Sequence, residues 1–241
     1  MNIRNSLVVP VYNASDEIPH IKKDIDYLLN NSFNKLEIIF VCDGCDDNSE
    51  SLLQEYFENK KEIRIISYEN NQGKGYALRQ GFNASRGNNV VFTDVDFSYS
   101  GKEIIKMFNE LEAGEKLVLV NRRDPRSTFV IPPPLFRYIF IRHFYSNVFN
   151  KFVNLILKLN CPDTQSGLKG FDLNEYKKIE KKLSQNGFAF DIELILNFRK
   201  IGVQSKSLPI HWSYREEKSK VALFSDGIKM IIVVFKLFLK K

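Results

Sequence analysis

The chain begins with a short apolar run, SLVVPVY at 6–12, and then a stretch from Ser15 to Leu29 whose apolar residues recur at helical spacing. The alternation repeats. LEIIFVCD (36–43) precedes a helical pattern from Asn48 to Phe57, IRIISYE (63–69) precedes GKGYALRQGFNASRG (73–87), and NNVVFTDVD (88–96) precedes a helix starting near Gly101. KLVLVNR (116–122) reads as a further strand. Apolar runs of this length separated by helices predict βαβ units and a mostly parallel sheet covered on both faces. Ligands bind such sheets beyond the C-terminal ends of the strands. The polar clusters YNASDE, CDGCDDNS, NNQGKG and TDVDFS each follow a predicted strand and so fall on that edge.

The second half changes character. Three prolines at 132–134 break the segment 127–159, and a long aromatic amphipathic helix is expected after them. A helix near Asn174, a helix over 187–202 and a strand over 203–215 follow, then an apolar helical tail at 225–241 carrying Lys229, Lys236, Lys240 and Lys241. The tail's longest uncharged run, Met230–Phe235, is far short of the roughly 20 residues a spanning helix needs, so it should lie on a membrane and not cross it. With no internal repeat or low-complexity linker, residues 1–241 read as one domain, with 127–159 and 225–241 as membrane-interface segments.

Charge sharpens this picture. The chain holds 35 Lys and Arg against 29 Asp and Glu, but the excess is local: 199–241 holds ten basic residues and three acids. From Arg122 to Lys158 seven basic residues face only Asp124. Both regions are rich in Phe, Ile, Leu and Tyr, which suits an anionic membrane surface better than nucleic acid. The three cysteines, Cys42, Cys45 and Cys161, make no disulfide framework and fit a reducing compartment. The CxxC at 42–45 lacks the second pair or histidine that a zinc site needs. The opening MNIRNSLVVPVYN has no long apolar stretch behind a basic start and is not expected to be a secretory signal.

Four clusters carry candidate chemistry. Asp94 and Asp96, two apart where a buried strand ends, can share a divalent cation such as Mg²⁺ or Mn²⁺ with phosphate and water. Glycines flanking Lys74 at a strand-to-helix turn can form an anion site from backbone N–H groups and the ammonium, or only a tight turn. Asp43 can contact a base or ribose, whereas Asp46, Asp47 and Asn48 serve equally well as helix caps. In CPDTQSGLKGF (161–171), Asp163 and Gln165 can orient hydroxyl groups of a ligand, or Asp163 can act as a base toward a hydroxyl acceptor. Asp191 and Glu193 suit ligand or structural contacts, with an interior ion pair equally suited to Glu193; His211 is a packed polar residue before it is a ligand, and Trp212 suits either stacking or the core.

Taken in order, VPVYNASDE, VCDGCDDNS, NQGKGYALRQG, NNVVFTDVDFS, DTQSGLKGF, GFAFDIEL and PIHW followed by SK resemble the inverting family 2 glycosyltransferases of GT-A fold. Within them the resemblance is to the polyprenyl-phosphate glycosyltransferases, of the dolichyl-phosphate β-glucosyltransferase and dolichol-phosphate mannose synthase types, and covers about residues 5–235. It implies an α/β, Rossmann-like GT-A domain that moves a hexose from a nucleotide sugar to a lipid phosphate. Pro10, Tyr12, Glu17, Asp43 and Lys74 would bind the nucleotide. Asp94 would hold ribose or metal, and Asp96 the metal bridging the diphosphate. Arg122 would bind phosphate, Arg142 and Ser146 would meet the acceptor phosphate, and Arg215 and Lys220 the donor diphosphate. Arg142 also suits a snorkelling surface position.

Three departures stand out. Cys42 replaces the first acid of the pair found after strand two in many relatives. Ser98 stands where mannose synthases carry Gln. No glycine precedes the SK, so the expected arginine aligns at Tyr214 or at Arg215. The features nearest the glucosyl enzymes favour UDP-glucose over GDP-mannose. A phosphate acceptor needs arginines where a hydroxyl acceptor needs a tuned carboxylate, and the stretch with Arg122, Arg123, Arg126, Arg137 and Arg142 favours the phosphate. The expectation is therefore a peripheral enzyme on the cytoplasmic face of a membrane. Transfer to a glycan or glycolipid hydroxyl, and a non-catalytic nucleotide-sugar-binding membrane scaffold, are the alternatives.

Overall fold

The computed structural model describes residues 3–32, 35–213 and 223–239. Strands β1 (Asn5–Val11), β2 (Leu36–Asp43), β3 (Ile63–Tyr68) and β4 (Asn89–Phe92) alternate with helices α1 (Ile18–Asn31), α2 (Ser49–Phe57) and α3 (Lys74–Ala84). Then come α4 (Gly101–Glu112), β5 (Leu117–Asn121), β6 (Thr128–Val130), α5 (Phe136–Leu157), β7 (Lys169–Asp172) and α6 (Leu173–Lys177). The described chain ends with α7 (Phe190–Lys200), β8 (Lys206–Pro209), β9 (His211–Ser213) and α8 (Leu223–Leu239). Seven strands form one sheet in the order β3-β2-β1-β4-β7-β5-β8, and β6 pairs with β9 in a small second sheet.

Side chains of β1 and β2 alternate between two apolar layers, so both faces of the central strands are buried. Leu7, Val9, Ile38 and Phe40 pack with Ile25 of α1, Leu53 of α2 and Ile104 of α4. Val8, Ile39 and Val41 pack on the opposite face with Phe82 of α3, Leu157 of α5, Phe190 of α7 and Val234 of α8. The βαβ pattern in the sequence is thus realised, with β4 ending at Phe92 so that Asp94 and Asp96 lie beyond it.

The reversed strand β7 differs from expectation. It runs antiparallel to both neighbours, with Lys169 opposite Phe92 of β4 and Leu119 of β5. Its N-terminal end therefore meets the C-terminal ends of the parallel strands, which delivers residues 161–169 to the ligand-binding edge. The sequence pattern marks no strand here, because four strand residues containing a lysine and a glycine carry almost no period-2 signal. The expected strand over 203–215 is also divided. β8 joins β5, whereas β9 crosses to β6, pairing Trp212 with Phe129.

Helix α5 is present where a helix is expected, and bulky apolar residues occur on both its buried and its exposed sides. Ile139, Val153 and Leu157 are buried, while Phe136, Phe140, Phe144 and Tyr145 are exposed. Helix α8 packs on it, with Phe235 edge-on to Phe152 at 5.7 Å, and exposes Ile231, Ile232 and Phe238. Among the described residues no helix is long and apolar enough to cross a membrane.

Candidate active site at the C-terminal edge of the sheet

Each loop on the edge is held by the next. After β1, Asn13 accepts the Asp46 N–H at 2.8 Å, while Ser49 Oγ and Asp47 accept the Ala14 and Ser15 N–H groups at 2.7 and 3.0 Å. Asp47 therefore links two loops and also accepts the Ser49 N–H at 3.0 Å at the start of α2, whereas Asn48, at the N-cap position, makes no side-chain capping bond. Pro10 and Glu17 are part-buried beside these loops, and Tyr12 is exposed. Asp43 is buried, and its carboxylate accepts the N–H groups of Gln72 and Gly73 at 2.8 and 2.9 Å. That clamp sets the turn leading into Lys74.

The turn does not offer an open helix N-terminus. Gly75 N–H donates to the Asn186 carbonyl at 2.5 Å, and a Cβ at Gly73 would lie 2.6 Å from the same oxygen. The glycines are required here because two backbones touch. Of the two readings of these glycines, the tight turn is the one these contacts fit: the 185–187 loop packs against it, and the side chain of Lys74 reaches Asp94. The loop is braced by Glu193, which accepts the Ser184 and Gln185 N–H groups, both at 2.9 Å. Glu193 is thus a structural brace for the loop.

Lys74 Nζ lies 2.5 Å from Asp94 Oδ1. Burial works against its charge, but Asp94, then Asp191, outweigh burial and raise its pKa above the usual lysine value. Asp96 accepts the Ser98 N–H and Oγ–H at 3.0 and 2.8 Å. Burial and the adjacent Asp94 charge nevertheless push its pKa up. Two carboxylates that repel each other at a rim suit a divalent cation whose remaining ligands are phosphate and water. Among the described residues no group of three or more His, Cys, Asp or Glu forms a fuller metal shell, and the three cysteines are free.

The second cluster is basic. Asp163, 1% exposed, receives Arg122 Nε at 2.7 Å and Arg122 Nη2 at 2.9 Å, and its Oδ1 is 2.9 Å from Arg123 Nη1. Burial opposes its ionisation, but the two guanidinium groups hold its carboxyl well below the usual range. Both oxygens of Asp163 are thus engaged by guanidinium groups, a geometry that disfavours it as a general base. Arg123 continues to Ser146 Oγ at 3.0 Å and Asn147 Oδ1 at 2.6 Å, fixing Ser146 of α5 against the end of β5. Gln165 is half-buried, and its amide contacts Met230 Sδ of α8 at 3.7 Å. Arg142 is on α5 one turn before Ser146.

Sequence reasoning missed the residues that hold this arrangement. Asn150 accepts Thr164 N–H at 3.0 Å and donates to the Pro162 carbonyl at 3.0 Å. Asn154 bonds both the N–H and the carbonyl of Cys161 at 2.8 Å. Their signal was three asparagines, at 147, 150 and 154, spaced to share one face of a helix rich in aromatic and aliphatic residues. Tyr99 stands between the clusters, its hydroxyl affected by burial first and then by Arg122, Asp163, Asp94 and Asp96. Trp212 belongs to the core at 3% exposure, 4.9 Å from the Phe129 ring, and His143 stacks on it at 6.1 Å. His211 bonds Thr128 Oγ1. Arg215 and Lys220 lie outside the described residues.

Comparison with known proteins agrees with this layout. Residues 6–179 match the family model "Glycosyl transferase family 2". The chain is 28% identical over 236 residues to the dolichyl-phosphate beta-glucosyltransferase of Dictyostelium discoideum, covering 95% of this chain and 72% of that one. It is 29% identical over 241 residues to the Saccharomyces cerevisiae enzyme of the same name, covering 93% and 71%. Glucosyl-3-phosphoglycerate synthase from Mycobacterium tuberculosis, crystallised with Mn²⁺, UDP and glucosyl-3-phosphoglycerate, superposes with a TM-score of 0.71 at 15% identity. That match covers 98% of this chain and 80% of the other. A mostly parallel sheet whose carboxylate pair and arginine pair share one edge, together with these matches, makes the chain a glycosyltransferase of GT-A fold that belongs to glycosyl transferase family 2.

Proposed function

We propose that the protein transfers a hexose, glucose from UDP-glucose before mannose from GDP-mannose, to a polyprenyl phosphate at the cytoplasmic surface of a membrane. The observation that carries this is the Arg122–Asp163–Arg123 cluster at the end of β5. A hydroxyl acceptor needs a base, and the nearby carboxylate is committed to two guanidinium groups; a phosphate acceptor is already an anion and needs those groups. The names of the relatives from Dictyostelium and yeast support the lipid acceptor and the glucosyl group.

In this reading Pro10, Tyr12 and Glu17 border the nucleoside, and Asp43 acts through the turn it clamps. Lys74 faces the donor diphosphate, and Asp94 and Asp96 would hold Mg²⁺ or Mn²⁺, as the Mn²⁺-bound neighbour supports. The cation would supply charge neutralisation for the departing diphosphate. Arg122 and Arg123, with Arg142 and Ser146, hold the acceptor phosphate, and Gln165 faces the sugar. A phosphate oxygen attacks the anomeric carbon from the side opposite the leaving group. The new carbon–oxygen bond forms as the bond to the nucleoside diphosphate breaks, with inversion and no proton to remove. The exposed aromatic surface of α5 and α8, with Arg137 and Lys151, supports docking on an anionic bilayer.

The test is incubation of the protein with labelled UDP-glucose or GDP-mannose, Mg²⁺ and dolichyl or undecaprenyl phosphate. Label should enter an acid-labile lipid phosphate. Label found only in an acid-stable glycoside would overturn the phosphate acceptor.

A further inference from the structure

The turn that carries the two rim carboxylates holds a backbone conformation that its residue does not favour. Phe97, directly after Asp96, has a φ of 46°, in the left-handed region. There the Cβ of an L residue crowds the following carbonyl, so glycine is the usual occupant, with Asn and Asp next. A phenylalanine at this angle is an outlier that its surroundings must hold in place.

The ring provides that hold. Phe97 is 2% exposed and belongs to the apolar layer that also contains Tyr99, Ile104 and Trp212. Its N–H donates to the Asp94 carbonyl at 3.2 Å, closing a tight turn over 94–97. Tyr99, also buried, forms a β-bridge with Trp212. The chain is therefore pinned on both sides of Ser98, which is part-exposed, as is Asp96. With Phe97 left-handed, Ser98 folds back so that its N–H and Oγ–H reach the Asp96 carboxylate, one to each oxygen, at 3.0 and 2.8 Å. A glycine would adopt the same angle freely, but it would bring no side chain to keep the turn closed.

We propose that Phe97 is a positioning residue for Asp96: its buried ring keeps residue 97 left-handed, which holds Ser98 against the Asp96 carboxylate and fixes that carboxylate beside Asp94 for a divalent cation. The cation rests on the proposed function; the hold on Asp96 through Ser98 does not. Each Asp96 oxygen keeps a lone pair beyond the one that Ser98 engages, so the brace and the cation do not compete.

The experiment uses the full chain with Phe97→Gly, which suits the backbone angle but deletes the anchor, and Phe97→Leu, which keeps a buried side chain at that point. Phe57→Ala is the control, since it removes a ring, 4% exposed, from the same apolar layer at the far end of α2. Every variant is measured below its own melting temperature. Mn²⁺ affinity in the presence of UDP, read from the EPR signal of free Mn²⁺, should weaken about tenfold in Phe97→Gly and hold in Phe97→Leu and Phe57→Ala. In the metal-free protein, hydrogen exchange of the Ser98 amide should speed up about tenfold in Phe97→Gly and stay slow in the other two. A ring that only fills the core would lower the melting temperature in Phe97→Gly and Phe57→Ala alike, with Mn²⁺ affinity and Ser98 exchange the same in both; that result overturns the inference. Faster Ser98 exchange in Phe97→Gly, in a protein whose wild type binds no Mn²⁺, supports the hold on Asp96 and counts against the metal role in the proposed function.

Discussion

Gly167 is backed directly onto Asp94: a Cβ at position 167 would lie 2.1 Å from the Asp94 Oδ2. The glycine of the DTQSGLKGF motif and the first acid of the DVD pair are thus parts of one contact, brought together because β7 runs against β4.

Substituting Gly167→Ala should therefore displace the Asp94 carboxylate and break its 2.5 Å pairing with Lys74. Reacting groups moved by about 1 Å lose on the order of a hundredfold in rate, so kcat/KM for the donor should fall by about that factor. Because Asp94 is part-exposed and can rotate away, the melting temperature should change little. Steady-state kinetics and thermal melts of the same preparation check both statements.

Asp163→Asn tests the basic cluster through stability. Breaking a buried ion pair on one side costs about 3–5 kcal/mol, and here it leaves two arginines without their anion. The folded-state pKa of Asp163 is depressed below that of the unfolded chain. Its contribution is therefore fully present above about pH 4 and is lost as pH falls toward the folded value. Urea unfolding should show a large gap between wild type and variant at pH 7 and pH 5, narrowing below pH 4. A gap that stays constant down to pH 3 would mean that the carboxylate is not the source.

Much of this arrangement was legible in the sequence. The parallel strands followed from apolar runs, and Asp43, Lys74, Asp94, Asp96 and Arg122 all fall on the edge those runs define. What could not be read were consequences of reversal and contact. Nothing local shows that Lys169 lies inside until the antiparallel β7 places it there, and the glycines around Lys74 suit an anion site as well as a tight turn until the 185–187 loop is seen to pack on them. Asp163 looks catalytic because nothing local reveals that Arg122 and Arg123, 40 or so residues earlier, converge on it. Such pairings depend on chain crossings that periodicity does not encode.

Asp96→Asn separates function from stability. Burial and the Asp94 charge raise the pKa of Asp96, so its ionised form strains the folded state near neutrality. With divalent cations removed by chelation, the variant should melt at or above the wild-type temperature. Turnover with Mg²⁺ or Mn²⁺ restored should be abolished. A variant that retains turnover would remove Asp96 from the metal role.

The apolar outer surface of α5 and α8 makes the last prediction. Phe140, Phe144, Ile232 and Phe238 are exposed by 68%, 61%, 49% and 46%, so replacing them with Ser removes little packing within the protein. Fully burying a side chain of this kind in an apolar medium is worth about 1.5–3 kcal/mol, so losing even two lipid contacts should weaken partitioning by at least about tenfold. Flotation with vesicles containing phosphatidylserine should show the fourfold variant left behind while wild type rises with the lipid. Raising the salt should weaken wild-type binding in part, through Arg137 and Lys151, but not abolish it, since the aromatic contribution is insensitive to screening. Wild-type protein that fails to float with anionic vesicles at low salt would show that this surface meets something other than a bilayer.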